Sequence, residues 1–319
     1  MKKLRFFPAT IALATTLALA SCNANDDAQP SGPHPIQFTA GIGQPVVANP
    51  DTRAAGTMWN DGDAIGVFMV DHGTTTIAEN AANKKFTIGS AGSVFNPILG
   101  SEIYYPMSNS AVDFIAYYPY QTSATLDAPL AVSTTDQSAQ STFDMLWAQA
   151  DNTGADNTAT GYTKDADADT PIPLVFAHRL AKLTMNCTAE ANTGYTSLDD
   201  AIVTIHGMNT ATTFSVKDGS LGTPSTVADI TPRRATTPTT GALATFDAVI
   251  IPANYGANQL TVTFTIGSET YTWDVNPVEF ESGKEYIYQV ILTRTGVTAT
   301  GTIIPWETVT PQKDPVFAN

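Results

Sequence analysis

The chain has 319 residues, in which 30 Asp and Glu outnumber 15 Lys and Arg for a formal net charge of −15. That balance repels phosphate backbones and leaves no basic footprint, which excludes nucleic-acid binding. Only 14% of residues are charged, a composition that suits Thr- and Ser-rich exposed β-structure better than helices laced with ion pairs.

Positions 1–21 start with Lys2, Lys3 and Arg5, continue in an apolar run from Phe6 to Leu19 and end on small residues, the three parts of a secretory signal. The run is shorter than the about 20 residues a membrane-spanning helix needs, so an export signal is the better reading. Leu19-Ala20-Ser21-Cys22 resembles the lipobox of bacterial lipoproteins. The resemblance implies cleavage between Ser21 and Cys22 and a diacylglyceryl group on the Cys22 thiol, and two acyl chains make a firm anchor. Asn23-Ala24-Asn25-Asp26-Asp27 resembles the acidic tag that sends Bacteroidota lipoproteins to the outer face of the outer membrane. With Cys22 committed to lipid, Cys187 has no disulfide partner. Its alternation with Leu183 and Met185 marks it as a small buried apolar residue.

Beyond the leader the dominant hydrophobic period is two. Ile36, Phe38, Ala40 and Ile42 alternate with Gln37, Thr39 and Gly41, so residues 36–43 are predicted as a strand with one buried face. Similar alternation runs through Ile65, Val67 and Met69, then Val112, Phe114, Ala116 and Tyr118, then Ala201, Val203 and Ile205. Leu260, Val262, Phe264 and Ile266 follow the same rule, as do Tyr286, Tyr288, Val290 and Leu292. Asn60-Asp61-Gly62, Asp218-Gly219 and Ser282-Gly283 punctuate these runs as turns. Residues 121–171 and 218–245 are poor in large apolar side chains and read as loops with at most short elements. The expected fold is all-β, two β-sandwiches in series. Its divisions are 1–21 signal, 22–53 lipidated segment with the strand, 54–171 first domain and 172–319 second domain, the junction falling just before Pro171-Ile172-Pro173.

Little in the chain suggests chemistry. His34, His72, His178 and His206 are too scattered for a local metal motif. Asp165-Ala166-Asp167-Ala168-Asp169 imitates the start of a calcium loop, but Thr170 and Phe176 stand where that loop needs Gly and Glu. There is no nucleophile elbow and no zinc-protease motif. Asp199-Asp200 and the pair Glu279 and Glu281 are the carboxylates glycoside hydrolysis would require, and an acidic chain yields such pairs by chance. No enzyme activity, metal or cofactor is expected.

Six segments in order carry a resemblance. Thr52-Arg53-Ala54 with Trp59-Asn60-Asp61-Gly62-Asp63-Ala64-Ile65-Gly66-Val67-Phe68 opens the series, followed by Asp113-Phe114-Ile115-Ala116-Tyr117-Tyr118-Pro119-Tyr120 and Asp144-Met145-Leu146-Trp147-Ala148. Leu174-Val175-Phe176-Ala177-His178-Arg179-Leu180-Ala181-Lys182-Leu183, Phe280-Glu281-Ser282-Gly283-Lys284-Glu285-Tyr286 and Ile304-Pro305-Trp306 complete it. The series resembles the Bacteroidales fimbrillin family, subunits of type V pili. Taken as bare residues, Asp61-Gly62-Asp63 is a turn, and Tyr117, Tyr118 and Tyr120 pack a sheet with hydroxyls toward water.

The resemblance implies a lipoprotein with two transthyretin-like β-sandwich domains. It further implies that a trypsin-like protease cuts after an arginine, releasing the first strand and opening a groove for a strand of another subunit. Arg53, with the bond to Ala54, is the expected cut, and Ile36, Phe38, Ala40 and Ile42 mark the exchanged strand. Trp306, Val309, Val316 and Phe317 mark a candidate donor tail, interrupted by Pro311 and Pro315. Expected partners are other fimbrial subunits, the outer membrane through the lipid, and a host or bacterial surface ligand. The alternative is a surface glycan-binding lipoprotein that uses Trp59, Trp147, Trp273 or Trp306 as aromatic platforms.

Overall fold

Among the described residues strands predominate as the period of two predicts, with one α-helical turn at Lys164–Asp167 and short 3-10 turns at Gln137–Thr142 and Ala191–Thr193. The computed structural model describes residues 35–43, 59–89 and 94–306, all within one unit, His34–Asn319. The signal, Cys22, the Arg53–Ala54 bond and tail residues Val309, Val316 and Phe317 lie outside the described residues.

The first half contains β1 (Phe38–Ile42), β2 (Ala64–Asp71), β3 (Lys84–Ile88), β4 (Val94–Pro97) and β5 (Val112–Tyr118). β6 (Leu130–Ser133), β7 (Leu146–Ala150) and β8 (Ile172–His178) follow. Seven of these close into a barrel in the order β1-β4-β3-β2-β5-β7-β8, which corrects the expected sandwich here. Closure comes from β1, antiparallel to β4 and parallel to β8. The barrel also corrects the division at residue 171, because β8 belongs to the first core. Pro173 can sit in β8 because Ile172 donates its N–H to Gln37, and the next N–H position faces the side where β7 pairs only with Ala177 and His178.

The second half contains β9 (Ala181–Ala189), β10 (Ile202–Phe214), β11 (Ser225–Ile230), β12 (Arg233–Arg234), β13 (Ala244–Ile250) and β14 (Ala253–Tyr255). It continues through β15 (Thr261–Ile266), β16 (Glu269–Asp274), β17 (Val278–Phe280), β18 (Lys284–Thr293) and β19 (Gly296–Pro305). One sheet runs β12-β13-β9-β18-β19 and a second β11-β10-β15-β16, with β6 crossing from the first half to pair with β10, and β14 pairs with β17 in a small third sheet. Leu183, Met185, Phe246 and Val290 of the first sheet share one buried cluster with Val203, Ile205, Val262 and Phe264 of the second. Cys187 lies in this cluster, fully buried, and its thiol is pushed up to about 12 by desolvation.

A third cluster joins the halves. In β2, Ile65, Val67 and Met69 fill the barrel, while Phe68 and Val70 face the other way into the junction. β5 divides similarly, with Phe114 and Ala116 inward and Ile115 and Tyr117 toward the junction. The alternation predicts one wet face for such strands. Both faces are dry because each strand separates two cores, which is why both parities are apolar. The Gln137 side chain fastens the junction from the first half, donating to Val249 O at 3.0 Å and accepting from Val249 N at 2.8 Å.

Candidate functional site

The candidate site is the slot occupied by β1. Ile36, Phe38, Ala40 and Ile42 are all buried and all join the barrel cluster. Phe38 meets Phe86 and Phe114 edge to face, with centroids 4.9 and 5.2 Å apart. Backbone bonds extend beyond the ladder at both ends: Ile36 N donates to Ile103 O, and Gly43 N donates to Phe176 O, each at 2.8 Å. Five ladder pairs join β1 to β8, but only Phe38–Phe95 and Thr39–Val94 join it to β4.

Where β4 pairing stops, Trp59 takes over. Its indole N–H donates to Ala40 O at 3.0 Å. The ring is half-buried and meets Phe95, Phe176 and Tyr118 edge to face at 5.0, 5.1 and 5.4 Å. The turn that follows aims it: Asp63 accepts from Asn60 N at 2.7 Å and from the Tyr118 hydroxyl at 3.1 Å, and Gly62 supplies a φ of +85°. Burial raises the Asp63 carboxyl above its ordinary pKa, with those hydrogen bonds opposing. The Tyr117 hydroxyl is satisfied within the protein too: it lies 2.9 Å from both Asn83 Oδ1 and Gln121 O, the acceptors open to its single proton, and accepts from Gln121 N at 3.0 Å. These two tyrosines therefore correct the expectation of hydroxyls in water.

A second constellation forms at the junction from four of the motif segments. His178 Nδ1 lies 3.1 and 3.0 Å from the Asp144 carboxylate oxygens, both side chains fully buried. Trp306 stacks on the His178 ring at 3.7 Å and donates its backbone N–H to Gly283 O. The Ser282 hydroxyl donates to Arg179 O at 2.9 Å, and the Arg179 guanidinium lies over Trp147 at 4.9 Å. Burial lowers the Arg179 pKa. Trp306, the first residue of the candidate donor tail, is 3% exposed and belongs to the junction cluster. Donation of this residue would take from His178 the ring stacked on it.

Ile36, Phe38, Ala40 and Ile42 fall on one face as the alternation predicts, but the sequence does not show what lines their slot. The missed residues are Phe86, Phe95, Phe114, Phe176 and Trp59; their signal was shared parity on strands whose pairing was unknown. None of the four tryptophans is an exposed residue: Trp273 and Trp306 are buried, and Trp59 and Trp147 are half-buried in packing contacts. Among the described residues no three His, Cys, Asp or Glu gather as a metal site would require.

A family profile described as fimbrillin-like matches residues 52–306. A Bacteroides uniformis relative with the provisional name of fimbrium subunit Fim1C is 28% identical over 312 residues, covering 92% of this chain and 93% of the relative. A crystal structure from Bacteroides uniformis, provisionally named a cell adhesion protein, is 25% identical with a TM-score of 0.67, covering 85% of this chain and 98% of that one. One from Bacteroides ovatus, named likewise, is 24% identical with a TM-score of 0.64, covers 87% and 99%, and shares the fold.

Proposed function

Because the chain belongs to the fimbrillin-like family, we propose that it is a structural fimbrial subunit of the bacterial cell surface, assembled by protease-triggered strand exchange and supporting adhesion. The position of β1 carries this reading. β1 is a short strand that closes a barrel, buries its inward side chains and is followed by residues 44–58, which contain Arg53.

Burying Ile36, Phe38 and Ile42 stabilises the barrel by roughly 5–9 kcal/mol, at about 1.5–3 kcal/mol per large side chain. That rivals the whole stability of a typical domain, about 5–15 kcal/mol. A barrel stripped of β1 would uncover Phe86, Phe95, Phe114 and Phe176 beside unpaired edges of β4 and β8, a strong demand for a replacement strand. While residues 44–58 connect β1 to Trp59, the strand is held at an effective concentration of about millimolar and competitors lose. Cutting after Arg53 abolishes that advantage.

In this reading the lipid on Cys22 tethers the precursor to the outer membrane, and its partners are other fimbrial subunits. Adhesion to a host or bacterial surface ligand would belong to the assembled fimbrium. The role is structural rather than enzymatic. The test is trypsin treatment of the purified mature protein. The segment before Ala54 should be lost and SDS-resistant ladders should appear, whereas trimmed protein that stays monomeric would sink the polymerising role.

A further inference from the structure

We infer that Trp59 makes the slot selective: the incoming strand of another fimbrial subunit must present large, large, small and large side chains at alternate positions, with Ala or Gly where Ala40 now lies. This rests on the strand-exchange reading and specifies the partner's chemistry.

The outer positions set the large requirements. Ile36 and Ile42 are 3% and 1% exposed, and Phe38 fills the space between the Phe86 and Phe114 rings. The third position differs. Phe95 is the ladder partner of Phe38, and Phe176 is that of Ile42. Trp59 touches both rings, so the indole stands beside the residue between them, Ala40, and bonds its carbonyl. Ala40 is 5% exposed and points into the barrel cluster against which Trp59 packs, so a larger side chain there would overpack a closed core, which is unfavourable. The indole contacts the occupant through a main-chain oxygen, which every strand offers. Trp59 therefore holds any occupant while its bulk rejects one that is too large at a single position. Direction is set as well, because an occupant that reproduces the ladder runs parallel to β8 and antiparallel to β4.

The test uses the mature chain with a specific protease site introduced between residues 44 and 58, cleaved, and exchanged against fluorescent peptides of residues 35–43. The parent peptide should bind, and Gln37→Ser, at an exposed position, should bind within about threefold of it. The Ala40→Leu peptide should bind about 10–100-fold more weakly. In a Trp59→Leu chain that penalty should shrink to about threefold or less. A parallel measurement on the uncut protein keeps the rule falsifiable without exchange: Ala40→Leu should lower the urea midpoint in the parent and lower it much less beside Trp59→Leu. Equal binding of the parent and Ala40→Leu peptides, or a penalty unchanged by Trp59→Leu, overturns the selectivity and leaves strand exchange standing. Failure of the parent peptide to bind overturns strand exchange and the rule with it.

Discussion

At the residue scale, Asp63 links the aim of Trp59 to pH. Its carboxyl is buried enough for desolvation to outweigh its hydrogen bonds, so its folded pKa lies above the unfolded one. Such a group contributes stability fully below the unfolded pKa, and that contribution is lost as pH rises through the folded value. Asp63→Asn should therefore gain on the parent as pH rises from about 3.5 to 7, read as the difference between their urea midpoints. A difference that stays constant across the range would show that Asp63 does not titrate this way. Gly66 is a separate constraint in the same segment: a Cβ there would run into the Tyr117 ring. Sequence showed the turn at Gly62, because glycine after Asn-Asp signals one locally. The reason for Gly66 was invisible, since Tyr117 reaches it only through the pairing of β2 with β5.

At the scale of elements, β1 is short and yet central to the barrel. Phe38 packs against two aromatic rings at full burial, so Phe38→Ala should cost about 3–5 kcal/mol in equilibrium unfolding of the uncut protein. A loss below about 1 kcal/mol would mean that the slot holds β1 only loosely. The period of two makes β1 legible in the sequence, and β2, β5, β10, β15 and β18 with it. β6 and β7 were harder, lying in the stretch that reads as loop, because each is short and draws its stability from strands far along the chain. The placement of β8 failed for the same reason: Pro171 and Pro173 look like a break until β1 is seen to supply the hydrogen bonds.

At the scale of the molecule, the junction cluster makes the two cores one unit. Trp59 reports on the barrel, Trp273 on the second core, and Trp147 and Trp306 on the contact between them. Fluorescence and near-UV circular dichroism should accordingly trace one coincident urea transition. His178→Ala strips the buried Asp144 of its partner and Trp306 of its stacking ring. It should cost about 2–5 kcal/mol and separate the probes into two transitions. Coincident probes in that variant would show that the apolar part of the junction suffices to couple the halves.

The sequence by itself determined the leader-like start, the acidic charge, the all-β character and the barrel-facing residues of β1, because each is local in composition or in a two-residue repeat. Only the tertiary structure decided that the first half closes into a barrel, that β8 belongs to it, and that Trp306 packs on His178 at the junction. Those outcomes depend on which strands meet. Backbone hydrogen bonding is blind to sequence, so pairing between distant segments is chosen by the fit of whole faces, such as Phe38 among its rings and Trp306 on His178.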